Sequence, residues 1–375
     1  MKTKRTASVL GFVAAGALVL TACGSDNNTA TGSGNTGAPA PTATAAVECG
    51  GKKALTAEGS SAQKGAMETF IAAYGQKCSG QQLSYNPTGS GAGVKQFNAG
   101  IVDFGGSDSA LNKDKGEVDA AAKRCQGNPA WNLPLVFGPV AIAYKLDGAP
   151  ALTLTPELTA KIFSGQVTKW NDAAIASANS GATLPDKAIT VVYRGDESGT
   201  TDNFQKYLKA SSKGAWTKDA GKKFNGGVGQ GAQGSAGVAD AISAGDGAIG
   251  YVEWSYAQDK KLSTAKIDSG SGAVELSAES AAKAIASAKV KGQGNDLVLD
   301  LDALYASNTA GAYPLVLATY EIVCSKGYDA DTAKAVKAFL TVAATDGQAS
   351  LADAGYVPLP NEFQSKLLTA IGAIA

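Results

Sequence analysis

From about residue 50 onward, the apolar positions of this chain come in two kinds of run. Short β-branched or aromatic stretches, bounded by Gly, Ser, Asn or Pro, predict strands at Gln82–Tyr85, Leu133–Tyr144, Ile189–Tyr193, Ala248–Glu253 and Pro314–Cys324. Between them, alanine-rich segments with apolar residues three and four apart predict helices at Ala62–Tyr74, Pro156–Ser164, Asp202–Lys209, Val238–Ala244 and Asp331–Thr345. Strands alternating with helices predict an α/β protein whose sheets are covered on both faces. No fixed-period repeat is present, which argues against a solenoid or propeller.

The first residues break this pattern. Lys2, Lys4 and Arg5 precede an apolar run from Ala7 to Leu20 that is short for a membrane span, so residues 1–22 are expected to be a cleaved export signal. The run ends in Leu20-Thr21-Ala22-Cys23-Gly24-Ser25, which is similar to the lipobox of bacterial lipoproteins. Cys23 is therefore expected to be the lipidated first residue, anchoring the chain to the extracytoplasmic face of the cell membrane; cleavage elsewhere as a plain secretory peptide is the alternative. Residues 23–46 follow as a flexible linker of small and polar residues with Asp26 as the one charge, too poor in apolar surface to fold.

The remaining cysteines, Cys49, Cys78, Cys125 and Cys324, are even in number, and in an oxidising compartment they allow two disulfides in three connectivities. The expected pairing is Cys49–Cys78, closing a local loop, and Cys125–Cys324, which requires the chain to leave a lobe and return. Four buried free thiols remain the alternative.

Composition narrows the chemistry. The 375 residues contain no histidine, which removes the commonest general base at neutral pH and the commonest transition-metal ligand. A Ser–His–Asp hydrolase is thereby impossible, and no metal or cofactor is expected. Lys+Arg and Asp+Glu balance at 33 each, so no broad positive field would recruit nucleic acid. An anion site would have to be local, built from a few placed donors.

Four segments have the composition for such a site. Gly59-Ser60-Ser61-Ala62, Thr88-Gly89-Ser90-Gly91-Ala92-Gly93, Ser198-Gly199-Thr200-Thr201 and Gly229-Gln230-Gly231-Ala232-Gln233-Gly234 are small-residue turns expected to open into helices. A helix start points several free N–H groups at one place with the positive end of the dipole behind them, which holds an oxyanion without a metal. Taken singly each could be only a helix cap, and the fourth is the weakest, readable as a mobile loop. Beside the third, Arg194 supplies a fork that can meet two oxyanion oxygens, and Asp196 is placed to hold it. Val102-Asp103-Phe104-Gly105-Gly106-Ser107-Asp108 reads as an apolar strand ending in a carboxylate.

Gly59-Ser60-Ser61, Gly89-Ser90-Gly91-Ala92-Gly93-Val94-Lys95-Gln96, Val102–Asp108 and Arg194–Thr200, with Ile162-Phe163-Ser164-Gly165-Gln166-Val167-Thr168-Lys169-Trp170-Asn171-Asp172 and Gly247-Ala248-Ile249-Gly250-Tyr251-Val252-Glu253, closely resemble the substrate-binding proteins of bacterial phosphate ABC importers, in order over roughly residues 54–360. The resemblance implies the type II periplasmic-binding-protein fold, two α/β lobes with a ligand cleft between them. Lobe I would comprise 47–138 and 312–375, and lobe II 139–311. It implies a receptor for inorganic phosphate whose partners are the importer's permease subunits; the absence of histidine argues against an enzyme, and nothing in the sequence demands more than a monomer. The anion would be held by Ser61 and the backbone N–H of Ala62 on the first helix, by Ser90 and Asp108, and by Arg194, Ser198, Gly199 and Thr200, with Asp196 in support. Many members of that family have Thr-Phe where this chain has Ser61-Ala62, so an aromatic wall is lost or supplied elsewhere. A receptor for another tetrahedral oxyanion such as sulfate or tungstate is the runner-up, and a secreted phosphatase-like enzyme a more distant one.

Overall fold

The computed structural model describes residues 45–375, so the expected export signal, Cys23 and all but the last two linker positions lie outside the described residues. Eight strands carry the main sheet: β1 (Ala54–Gly59), β2 (Gln82–Asn86), β3 (Phe104–Ser107), β4 (Ala130–Tyr144), β5 (Thr190–Arg194), β6 (Gln230–Ala232), β7 (Ala248–Glu253) and β8 (Val316–Cys324). Their order is β2-β1-β3-β8-β4-β7-β5-β6, with Ser263–Thr264 paired to the end of β4. A small second sheet joins Thr153–Leu154, Lys266–Asp268 and Ala273–Val274.

β4 is the strand that both ends of the sheet share. Its first ten residues run antiparallel to β8, from Ala130 opposite Cys324 to Pro139 opposite Val316. From Val140 to Tyr144 it pairs with β7 instead. On one side β1 lies parallel to β2 and β3, and on the other β5 lies parallel to β6 and β7, as expected where helices form the crossovers. The first side packs Phe104 and Tyr74 against Phe339 of the helix Ala330–Ala344. The second stacks Phe204 on Tyr251, flanked by Phe163 and Phe224. The type II periplasmic-binding-protein fold expected from sequence is the fold observed.

Helix starts differ from the sequence expectation for local reasons. α1 (Lys64–Lys77) begins after Ser61 and Ala62, so those residues form the turn leading into the helix, not its first residues. α2 (Ser90–Asn98) begins inside the second glycine-rich turn. α3 (Gly199–Ser211) starts three residues earlier than the apolar pattern suggested, because the Ser198 side chain accepts the Thr201 N–H and caps it. α4 (Gly234–Ala244) starts at the end of the fourth turn, which is ordered as β6 followed by a helix start rather than a mobile loop.

Both disulfides are present. Cys49 is bonded to Cys78 just past the end of α1, and Cys125 to Cys324 at the end of β8, beside the start of β4. Among the described residues no helix is long and apolar enough to cross a membrane.

Candidate functional site

The strand β3 ends in Gly105-Gly106-Ser107 and delivers Asp108 into the interior, where it is 2 % exposed. Three hydroxyls surround its carboxylate. Ser60 donates to Oδ1 at 2.5 Å, Thr319 of β8 donates to Oδ1 at 2.7 Å, and Ser90 at the start of α2 donates to Oδ2 at 2.9 Å. The Asp108 backbone N–H returns a bond to Ser90 Oγ, and Asn203 of α3 donates to the Asp108 carbonyl. Burial raises the carboxyl above its ordinary range, the hydroxyl bonds pull it back, and the charge of Glu253 raises it again.

The glycines here are spacing devices. A methyl group at Gly93 would fall 2.6 Å from both the Gly106 carbonyl oxygen and the Gly59 Cα, so α2 can lie against β1 and β3 only without a side chain there. At Gly199 the same group would fall 2.6 Å from the Asp108 Cβ and from Ser90 Oγ. The first residue of α3 therefore reaches the Asp108 cluster with its backbone.

Arg194, the last residue of β5, is 3 % exposed. Asp196 grips one edge of its guanidinium, with Nε donating to Oδ1 at 2.8 Å and Nη2 to Oδ2 at 2.5 Å. Asp196 Oδ1 also accepts the Gly234 N–H at the start of α4. Burial opposes charge on both groups, yet their mutual bonding and attraction prevail, holding Asp196 below its usual range and Arg194 above its own. Nη1 donates to Ser235 Oγ at 3.1 Å, and the Ser235 and Ser61 hydroxyls share a bond of 2.8 Å. The backbone N–H of Ser235 donates to Ser61 Oγ as well.

Thus the structure gathers Ser61, Ala62, Ser90, Asp108, Arg194, Ser198, Gly199 and Thr200, all buried, around the ends of β1, β3 and β5 and the starts of α2, α3 and α4. Several are already engaged within the protein. The Ala62 N–H donates to Ser60 Oγ, Ser198 Oγ caps α3, and the Thr200 hydroxyl donates to Glu253 Oε1. The turn that lacks the aromatic residue is held by two tyrosines, Tyr256 donating to the Ser61 carbonyl and Tyr356 to the Ala62 carbonyl.

Sequence reasoning missed Ser60, Thr319, Ser235 and Glu253 as members of the site. Ser60 lies in the first turn next to Ser61, and Ser235 follows directly on the fourth turn, so both had a signal. Glu253 ends the Gly247–Glu253 motif and had one too. Thr319 lies mid-strand and had none.

Three comparisons bear on what this arrangement is. Residues 28–346 match the family model of the PBP superfamily domain. The chain is 51% identical to the phosphate-binding protein PstS 3 of Mycobacterium tuberculosis and 50% identical to that of Mycobacterium leprae, in each case over all of both chains. A high-affinity periplasmic phosphate-binding protein solved with bound phosphate matches 84% of this chain and 93% of its own, with a TM-score of 0.67 and 24% identity, a likeness that speaks for the fold alone.

Proposed function

The chain belongs to the PBP superfamily and, within it, to the PstS phosphate-binding proteins, and from that premise we propose that it captures inorganic phosphate outside the cytoplasm and delivers it to an ABC importer. One observation supports the choice of site above the rest. A buried guanidinium and a buried carboxylate, linked through hydroxyls and helix starts, meet in one water-poor place.

Arg194 supplies the full positive charge. With its Nε edge held by Asp196, the guanidinium is fixed in orientation before the ligand arrives, which spares the ordering cost of a free side chain. The N–H groups at the starts of α2 and α3, with the hydroxyls of Ser61, Ser90, Ser198 and Thr200, share out the rest of the ligand's charge. The Ala62 N–H and the hydroxyls of Ser90 and Thr200 exchange their present partners, Ser60, Asp108 and Glu253, for the anion.

Asp108 sets selectivity. A carboxylate beside an anion is repulsive unless the ligand brings a proton to share, and hydrogen phosphate has a P–OH where sulfate has none. Ser60 and Thr319 on Oδ1 fix Asp108 as an acceptor, and once Ser90 turns to the ligand Oδ2 has no donor, so sulfate meets an unpaired acceptor in a dry site, at a cost of roughly 1–3 kcal/mol or more. Calorimetry of wild type and Asp108→Asn with phosphate and sulfate tests this: the preference collapses in the variant, and an unchanged ratio refutes the role.

The lobes follow 47–138 with 312–375 and 139–311, a division supported by the change of partner along β4 from β8 to β7 at Pro139–Val140. The ligand enters between them and is enclosed by hinge closure. The chain acts as a monomer without enzymatic activity, tethered through a lipid on Cys23 after loss of residues 1–22. Mass spectrometry of the mature N-terminus checks the tether.

A further inference from the structure

Residues 212–229, between α3 and β6, form no helix or strand, yet Lys222 among them is buried. A lysine is withdrawn from water that far only when its charge is met. Its partner is Glu117, the first residue of the helix Glu117–Arg124, whose Oε1 accepts from Lys222 Nζ at 3.0 Å. The two lie 105 positions apart. On the lobe division proposed above, Glu117 belongs to lobe I and Lys222 to lobe II, so the inference rests on that reading.

Both ends of this bridge are held in place. The buried Gln205 of α3 pins the loop around Lys222: its Nε2 donates to the carbonyls of Gly221 and Lys223, and its Oε1 accepts the Asn225 N–H. The Lys222 carbonyl accepts the N–H of Ser198, the residue that caps α3 and belongs to the anion site. On the far side, Glu117 Oε2 accepts the Asn112 N–H at 2.8 Å, which leaves Oε1 to the lysine. Open space flanks the pair. A hollow of about 660 Å³ bounded by Lys95 and Asn98 lies on one side, one of about 420 Å³ bounded by Asp108 and Asn132 lies on the other, and Lys222 and Glu117 line both. The bridge therefore crosses a gap that packing does not fill. Lys95 and Glu197 also join the two sides, but the Lys95 side chain is 71 % exposed, against 9 % for Lys222 and 17 % for Glu117, so water weakens that pair far more.

We propose that Lys222 and Glu117 are positioning residues that latch the cleft: the pair forms when the lobes come together and holds them closed over the bound anion. Neither touches the ligand. With the lobes apart, each charge faces water and needs no partner. With the lobes together, each is largely withdrawn from water and satisfied by the other. Removing one partner strands the remaining charge in the closed form alone, so closure is penalised and the open form is not. Because the anion enters before the latch is made, the penalty falls on the rate of release. The loop that carries Lys222 also holds Ser198 through its backbone, so seating the start of α3 on the ligand brings the lysine to its carboxylate.

The test is the release of radiolabelled phosphate from the full chain, chased with unlabelled phosphate, with the association rate measured alongside. Lys222→Met is expected to speed release on the order of tenfold and to leave association within about twofold of wild type. Lys95→Ala, which breaks the exposed pair, should change neither rate by more than about twofold. Glu117→Gln, whose amide oxygen can still accept the Asn112 N–H, is the second variant should Lys222→Met fold poorly, and it is expected to release as fast. The double variant should release no faster than either single one, because one interaction is lost in all three. Unchanged release in both single variants, a loss confined to association, or single effects that multiply in the double variant overturns the latch and leaves phosphate binding standing. A wild type that retains no labelled phosphate overturns the phosphate reading and this inference with it.

Discussion

Asp108 and Arg194 are both charged groups taken out of water, and they are secured in different ways. Arg194 is braced by an opposite charge: Asp196 takes one edge of its guanidinium and is itself fixed by the start of α4. Asp108 has no counter-ion among the described residues and is held by three hydroxyls from three separate segments. An ionic brace fixes orientation and keeps the charge on. A ring of hydroxyls solvates a carboxylate while leaving it sensitive to what else arrives, which suits the group that must test the ligand for a proton.

The largest effect should come from the braced side. Arg194→Met removes the positive charge and leaves Asp196 buried without its partner, so phosphate binding should weaken by a hundredfold or more, on the scale of roughly 2–5 kcal/mol for such truncations. Arg194→Lys should fall between, since an ammonium keeps the charge but not the fork. Titration calorimetry that found wild-type affinity in the lysine variant would break the distinction between the two sides.

On the hydroxyl side the expected loss is in selectivity. Asp108→Asn should cut the preference for phosphate over sulfate by about tenfold to a hundredfold. Acid should do the same to wild type: the Asp108 carboxyl is raised, so as pH falls toward its range it gains a proton, becomes a donor and admits sulfate. A phosphate-to-sulfate ratio that stays constant on acidification would contradict this.

Asp196 gives the opposite pH signature. Its value in the fold is depressed, so its contribution to stability is fully present above the ordinary carboxylate range and is lost as pH falls through the lowered value. Asp196→Asn should lower denaturant midpoints at neutral pH and remove that part of the acid dependence. Below it in size, Ser235→Ala deletes one bond to Arg194 and should weaken phosphate only several-fold, in keeping with about 1 kcal/mol for a hydrogen bond to a charged group shared by neighbours. Smallest of all, Lys95→Ala breaks an exposed pair with Glu197 and should change affinity by less than about twofold.

The two sides were also unequally legible. Arg194, Asp196 and the capped start of α3 lie within ten residues, so one stretch of sequence contained the brace. The ring around Asp108 is assembled from Ser60, Ser90 and Thr319, up to 211 positions away, and local pattern cannot join positions that only the sheet order brings together. Thr319 was invisible for a second reason, being one hydroxyl in an otherwise apolar strand. β1 was missed because its inward positions are Leu55, Ala57 and Gly59, an alternation too small in volume to register. The long strands and the helix Ala330–Ala344 were plain, since large apolar residues recur there at the right spacing.

The bond between Cys125 and Cys324 also bears on timing. A chain made from its N-terminus exposes Cys49, Cys78 and Cys125 while Cys324 has not yet been synthesised, and the bonded pair is 199 positions apart, a stretch that includes all of β4, β5, β6 and β7. Throughout that interval Cys125 has only the wrong sulfurs to meet. Pairing of Cys49 with Cys78 across 29 positions takes both of those sulfurs out of reach, so the short N-terminal loop leaves Cys125 with Cys324 as its remaining partner among the four.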